Sequence, residues 1–400
     1  MDWRGISMTK TKVLISGASI AGPALAGWLG RNGFDVTVVE KAPAVRAGGQ
    51  AVDVKGRTHR DVLTRMGILD EVYAMQTTKT DWRLIDEAER VKAVIPGEFL
   101  GGDVEILRGD LAGILHRNSA EVAEYVFGDE ITALRESAAG VDVEFERRSG
   151  ERFDLVIGAD GAHSAVRRLA FGPENDHLES LGYYYALASG SAPTDGLQTR
   201  LPNGRAIAYA YNTPGRLAVL GGQKAPSLFV FKADRPDYDR HDTASQVRFL
   251  ESHLAGAGWR VDQMLEACRQ AADFYLDALA RTRMSTFTRG RTALVGDAGY
   301  ANTLGGFGTG LALIGAYVLA GELVAARGDH VVAFDAYDRA MLKPTKIARA
   351  GNAGPFLAPP TQRRIRLRDW SFANRPTTRA MAWMAEKFAT DPTIPVYRLH

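Results

Sequence analysis

The 400-residue chain contains a single cysteine, Cys268. That scarcity excludes an internal disulfide framework, a cysteine-based zinc site, an iron–sulfur cluster and a dithiol redox pair. An excess of one charge is also missing: 49 Lys and Arg stand against 47 Asp and Glu, a formal net charge of +2. So balanced a chain lacks the electrostatic footprint of a nucleic-acid binder, and no nucleic-acid partner is expected. Long unbroken apolar runs are few. Residues 13–30 carry no charge until Arg31, but Gly17, Gly22, Pro23, Gly27 and Gly30 interrupt them, which argues against a signal peptide. Residues 310–326 are short for a bilayer and hold Glu322, so they read as a buried helix. No membrane partner is expected, and the expected location is the cytoplasm. What is present is ample core material, 46% hydrophobic residues, together with 42 glycines that point to close backbone approaches.

Residues 12–16 (KVLIS) read as a short strand that runs straight into glycine. Pro23 then falls in the first turn of a helix, where its missing N–H costs nothing. Ala24, Leu25, Trp28 and Leu29 give that helix an apolar face, and Gly33 stops it. Residues 34–40 alternate and end in an acid, which completes a βαβ unit. Residues 1–9 form a short leader, with Met8 as an alternative start. Residues 60–73 read as one amphipathic helix with Val62, Leu63, Met66 and Leu69 on one side. A hairpin over 82–95 turns at 86–90, and a helix covers 111–123. A second hairpin over 141–160 turns at Ser149 and Gly150 and returns as RFDLVIGAD.

From residue 183 the pattern changes to β, with strands at 183–188, 206–211, 217–220 and 228–231 separated by Pro202-Asn203-Gly204 and Thr213-Pro214-Gly215. Helices near 243–254 and 259–271 and a further strand pair lead into RTALVG at 291–296. The expected fold class is α/β: a Rossmann-like domain interrupted by a mainly antiparallel β-sheet domain, plus C-terminal helices. The nucleotide-binding part takes residues 10–75, 98–175 and 284–342. The sheet domain takes 76–97 and 176–283, and 343–400 form a helical segment. Its last helix is expected at 375–390, after a break at Pro355, Pro359 and Pro360.

Three motifs carry chemistry. The first is Gly17-Ala18-Ser19-Ile20-Ala21-Gly22 with Glu40 beyond it. Glycine permits the sharp turn, the helix N-terminus offers free N–H groups to a pyrophosphate, and the acid suits an adenosine ribose hydroxyl while repelling a 2′-phosphate. Ser19 stands where the GxGxxG pattern has its middle glycine. The second is Asp160-Gly161-Ala162-His163-Ser164-Ala165-Val166-Arg167 at the end of a strand. The third is Gly296-Asp297 followed by Gly305, Gly306, Gly308 and Gly310 and an apolar helix.

In this order and on these elements, the motifs resemble those of class A flavoprotein monooxygenases, the para-hydroxybenzoate hydroxylase fold that includes tetracycline-inactivating and polyketide aromatic hydroxylases. The resemblance covers about residues 12–340. It implies FAD as cofactor, with NADPH or NADH as hydride donor and O2 as co-substrate. The implied product is a hydroxylated aromatic or polycyclic small molecule, formed through a flavin hydroperoxide. Epoxidation and Baeyer–Villiger insertion come second. It assigns Glu40 to the FAD ribose, Gly17, Ser19 and Gly22 to the pyrophosphate turn, and Arg108 to the phosphates. Asp297 goes to the ribityl and pyrophosphate region, and Asp160 to both FAD and nicotinamide. Arg46 and Asp53 resemble positions that contact NADPH and flavin. The full expected cofactor-binding set is Gly17, Ser19, Ile20, Ala21, Gly22, Glu40, Lys41, Arg46, Asp53, Arg108, Asp160, Asp297, Gly308, Gly310 and Leu311. Backbone N–H groups at the start of the Leu311 helix suit the negative N1/C2=O edge of reduced flavin. Where the family has a pair of prolines this chain has Leu304-Gly305-Gly306.

No metal site and no catalytic side chain are identified, because the cofactor carries the chemistry. The alternatives are a flavin-dependent reductase or dehydrogenase on the same fold, and a non-catalytic flavoprotein that sequesters a drug-like ligand. A halogenase is disfavoured, since no Trp-x-Trp-x-Ile-Pro segment occurs. His163 reads as a surface or second-layer histidine. Tyr183, Tyr184, Tyr185, Tyr209 and Tyr211 read first as sheet packing, and Cys268 as core. Nine Lys and Arg between residues 343 and 379 face Asp369 alone, a solvated face that would also attract NADPH phosphates. A monomer or homodimer is expected.

Overall fold

A computed structural model describes residues 10–378 and 392–400, apart from 47, 190–192, 223–225, 235–237, 272, 307 and 375. The leader at 1–9 and most of the helix expected at 375–390 lie outside the described residues. Strand Lys12–Ser16 pairs in parallel with both Asp35–Glu40 and Leu155–Gly158. It is buried from Val13 onward, which is why KVLIS is continuously apolar. The six-stranded sheet runs Thr288–Arg289, Thr292–Leu294, Leu155–Gly158, Lys12–Ser16, Asp35–Glu40, Glu124–Phe127, and only its first strand is antiparallel. Helices Ala21–Arg31 and Gly308–Ala325 pack side by side, with Trp28 edge-on to Tyr317 at 5.6 Å between ring centroids. Helix Gly308–Ala325 is long and apolar enough to cross a membrane, but 72% of it is buried inside the protein, as a core helix would be.

The seven-stranded sheet runs Tyr275–Thr282, Leu178–Ala188, Ser227–Lys232, Arg216–Leu220, Ala206–Thr213, Thr80–Ile85, Val91–Ile95. One pair, Ala206–Thr213 with Thr80–Ile85, is parallel, and the rest are antiparallel. Period-two alternation sends Tyr184, Tyr209 and Tyr211 to one face, against helices Thr243–Leu254 and Val261–Gln270. Cys268 lies in the same cluster. Tyr183 and Tyr185 join the opposite face with Trp82, Phe372 and Leu304. All five tyrosines are buried sheet residues. Helix Gln362–Ala373 closes that second face through Phe372, whose ring meets Phe99 at 5.1 Å.

Two expected elements are divided. Residues 60–73 form not one helix but two, Arg57–Arg65 and Leu69–Ala74, because Gly67 takes φ 72° and ends the first. The return strand of the second hairpin splits at Asp154. Glu151–Phe153 pairs antiparallel with Gly140–Phe145, while Leu155–Gly158 enters the parallel sheet. Asp154 makes the junction: its N–H donates to the Lys12 carbonyl at 2.8 Å, and its Oδ2 accepts from the Lys12 N–H at 2.7 Å.

Candidate active site

Gly17 ends the first strand at φ 108°, and its N–H donates to the Val39 carbonyl at 2.7 Å. A Cβ there would stand 2.5 Å from the Ala159 carbonyl oxygen, and one on Gly22 would stand 1.9 Å from the Gly17 oxygen. Both positions therefore require glycine, and the chain turns tightly enough to bring helix Ala21–Arg31 directly behind the loop. Glu40, at the tip of the neighbouring strand, accepts from the N–H groups of Ala18 and Ala42, each at 2.8 Å.

The second motif is braced from inside. Asp160 accepts from the Ser164 hydroxyl and from the Val166 N–H, which fixes the entry to helix Ala165–Ala170. Though partly accessible it is deep-seated, and desolvation raises its pKa against those hydrogen bonds. Arg167, 1% exposed, donates through Nη1 to the Ala298 carbonyl at 2.8 Å and through Nη2 to the Ala162 carbonyl. The DGxxSxVR arginine thus ties the second motif to the turn of the third. That turn rests on the first motif, since a Cβ on Gly296 would stand 3.1 Å from Ala21 Cβ and 3.4 Å from Ala312 Cβ. Asp297 remains solvent-accessible. Desolvation raises its pKa, with the Arg108 charge acting in the opposite direction.

One cleft of about 940 Å³ runs past the first two motifs. Of the expected residues, Gly17, Ser19, Glu40, Lys41, Arg46, Arg108 and Asp160 line it. Ile20, Ala21 and Gly22 lie behind the turn. Asp297, Gly308, Gly310 and Leu311 sit together where helix Gly308–Ala325 begins; a Cβ on Gly308 would stand 3.4 Å from Asp297 Oδ1. Asp53 is not among the cleft's lining: it stands on strand Ala51–Val54, and its Oδ1 accepts from the Gly102 N–H at 2.9 Å. The glycine-required turn, the acid beside it and the cationic Arg108 fit an adenine dinucleotide with its pyrophosphate.

Sequence reasoning missed several lining groups. Asp129 and Glu130 follow strand Glu124–Phe127; Lys41 Nζ lies 3.4 Å from Glu130, while Asp129 accepts from the N–H groups of Arg147 and Arg148. Gly48 and Gly49, at φ 74° and 83°, carry the chain past Arg108, with the Gly109 N–H donating to the Gly48 carbonyl at 2.9 Å. The Gly-Gly pair beside Arg46 was the available signal for them. His163 is more than a surface residue. Its Nε2 lies 3.1 Å from both oxygens of Asp277 on strand Tyr275–Thr282, and its Nδ1 lies 3.1 Å from Glu174. Hydrogen bonds to Asp277 and then Glu174 raise its pKa to about 9, with the guanidinium of Arg240 2.7 Å from Nδ1 on the other side. Arg168, Arg240 and His241 line the same end of the cleft.

Residues 10–339 match the FAD binding domain family. A flavin-dependent monooxygenase of Legionella longbeachae is 36% identical over 340 residues, covering 82% of this chain and 84% of its own. An uncharacterized protein of Mycobacterium tuberculosis, Rv1260, is 41% identical over 338 residues, covering 81% and 88%. The crystal structure of tetracycline destructase Tet(55) superposes with a TM-score of 0.80 at 34% identity, covering 97% of this chain and 99% of that one. With its three motifs joined through Arg167 and Gly296, and with relatives of this kind, the chain belongs to the FAD-binding flavin-dependent monooxygenases of class A fold.

Proposed function

We propose that the cleft holds FAD with its adenosine at Glu40 and Lys41, its pyrophosphate at Gly17–Gly22 and Arg108, and its ring toward Gly308–Leu311. We propose further that the enzyme uses NAD(P)H and O2 to hydroxylate an aromatic or polycyclic small molecule. The observation that carries this reading is the Arg167–Ala298 bond, which joins the second motif to the third, whose Gly296 packs against Ala21 of the first. When bound, FAD supplies the redox chemistry, accepting hydride and activating oxygen. The protein's own groups then bind, orient and exclude water. Glu40 accepts from ribose hydroxyls, Arg108 neutralises phosphate charge, and the helix beginning at Gly308 offers N–H groups and a positive dipole end to an anionic ring edge. Arg46, Arg168, Arg240 and His241, at the cleft's rim, would draw in the phosphates of a nicotinamide dinucleotide. The sheet face that carries Trp82, Tyr183 and Tyr185 adjoins Leu304 in the loop of the third motif, which supports a substrate seated between the sheet domain and the cofactor cradle. Tet(55), named as a tetracycline destructase, is consistent with a polycyclic one.

The test is an anaerobic titration of the FAD-loaded protein with NADPH and with NADH, across a panel of polycyclic aromatics. Flavin bleaching that one compound accelerates supports the assignment and identifies the substrate class. Bleaching at one slow rate with every compound would leave a ligand-sequestering flavoprotein.

A further inference from the structure

Apart from the dinucleotide cleft, strand Tyr275–Thr282 ends against the C-terminal turn of helix His330–Ala348, and a basin of about 420 Å³ opens between them. Its charged lining consists of Arg281, Arg283, Lys346 and Arg349, and no acid lines it. We propose that this basin is a binding site for a multiply charged oxyanion of the phosphate type.

Cations outnumber carboxylates around the basin. Glu179 serves both Arg281 and Arg283; Arg283 donates to it through Nε at 2.9 Å and Nη2 at 2.7 Å. Lys346 has no ion pair among the described residues. Arg349 donates only to main-chain carbonyls, to Thr282 at 3.2 Å, to Met284 at 3.1 Å and to Thr345 at 3.3 Å. Those bonds hold the guanidinium in place without cancelling its charge. Burial, with the positive charge of Arg281 added to it, pushes the Arg349 pKa down, a sign of cations gathered closer than they would choose. One carboxylate among four cations leaves the basin strongly positive. Arg283 Nη1 and Arg349 Nη2 make no hydrogen bond among the described residues, and with the exposed ammonium of Lys346 they suit a tetrahedral oxyanion better than chloride.

The position gives the site a consequence. Thr282 donates its N–H to the Ala301 carbonyl at 3.0 Å and its hydroxyl to the Gly299 carbonyl at 2.9 Å. Asn302 Nδ2 donates to the Ala348 carbonyl at 2.7 Å. An anion bridging Arg283 and Lys346 would therefore clamp the strand end and the helix end around the segment that follows Asp297. The basin shares no lining residue with the dinucleotide cleft, so such an anion does not compete with FAD.

The test uses the FAD-loaded full chain, with inorganic phosphate titrated by calorimetry and thermal unfolding against chloride at equal ionic strength. Saturable binding and a raised melting temperature are expected with phosphate alone. The Arg283→Gln/Lys346→Gln variant should bind at least about tenfold more weakly. Arg339→Gln, which removes an exposed cation elsewhere, should bind as the wild type does. If the double variant loses its FAD, Lys346→Gln alone should still weaken binding about threefold, because its side chain is exposed. A non-saturable response equal to that of chloride, or undiminished binding by the Lys346 variant, would overturn the proposal.

Discussion

The guanidinium of Arg167 and the carbonyl of Ala298 lie 2.8 Å apart across 131 positions of sequence. This contact carries the end of one parallel strand to the turn after its neighbour, and the cofactor cradle depends on it. Replacing Arg167 by Met keeps much of the volume but strands the buried Ala298 carbonyl and the half-buried Ala162 carbonyl. We expect a loss of about 3 kcal/mol in stability, measured by urea unfolding, together with FAD loss on gel filtration. Arg167→Lys should recover only part of it, since one ammonium cannot span both acceptors.

Gly22→Ala tests the turn. The added methyl would stand 1.9 Å from the Gly17 oxygen, so the loop must move away from the helix. The expected cost is roughly 2 kcal/mol of stability, with an FAD affinity at least about tenfold lower by flavin fluorescence titration. Unchanged affinity would mean that the pyrophosphate does not use this loop.

Arg108→Ala should leave the fold intact and weaken FAD by about 2 kcal/mol, the worth of a charge-assisted contact to phosphate. Equilibrium dialysis of the apoprotein against FAD measures it. The variant also removes the positive charge that opposes the upward shift of Asp297.

His163 makes stability depend on pH. Its folded pKa of about 9 lies above the ordinary value of 6.5, so its contribution is fully present below pH 6.5 and is lost as pH rises through 9. With the side chain 32% exposed, solvent screening leaves about 2 kcal/mol of this. Urea midpoints of the wild type should therefore fall between those two pH values more than those of His163→Gln. Parallel curves for the two proteins would contradict the ion pairs drawn from Asp277 and Glu174.

The parallel strands and the three motifs were legible because each is a local signal: continuous apolar residues, then glycine where the backbone must turn. Gly67 was just as local, and its left-handed turn was overlooked because the apolar spacing of Val62, Leu63, Met66 and Leu69 continues across it. The division at Asp154 had no local signal, since RFDLVIGAD reads as one strand and only the pairing partners separate it. The surroundings of His163 were hidden for the same reason, with Asp277 lying 114 residues away. Of the expected cofactor set, Gly17, Ser19, Glu40, Lys41, Arg46, Arg108 and Asp160 line one cleft. Asp53, whose role was carried over by resemblance, is instead turned toward the Gly102 N–H.

Strand Thr292–Leu294 completes the parallel sheet beside Leu155–Gly158, yet the whole seven-stranded sheet domain is largely made between them in sequence. During synthesis the nucleotide-binding sheet therefore waits, one inner strand short, until residues 292–294 have left the ribosome. Such distant pairing folds slowly, and it leaves the apolar edge of Leu155–Gly158 open to mispairing in the meantime. Any chain cut short before residue 292 would lack that strand, the Ala298 carbonyl and the helix from Gly308, so cofactor capture becomes a late event in synthesis.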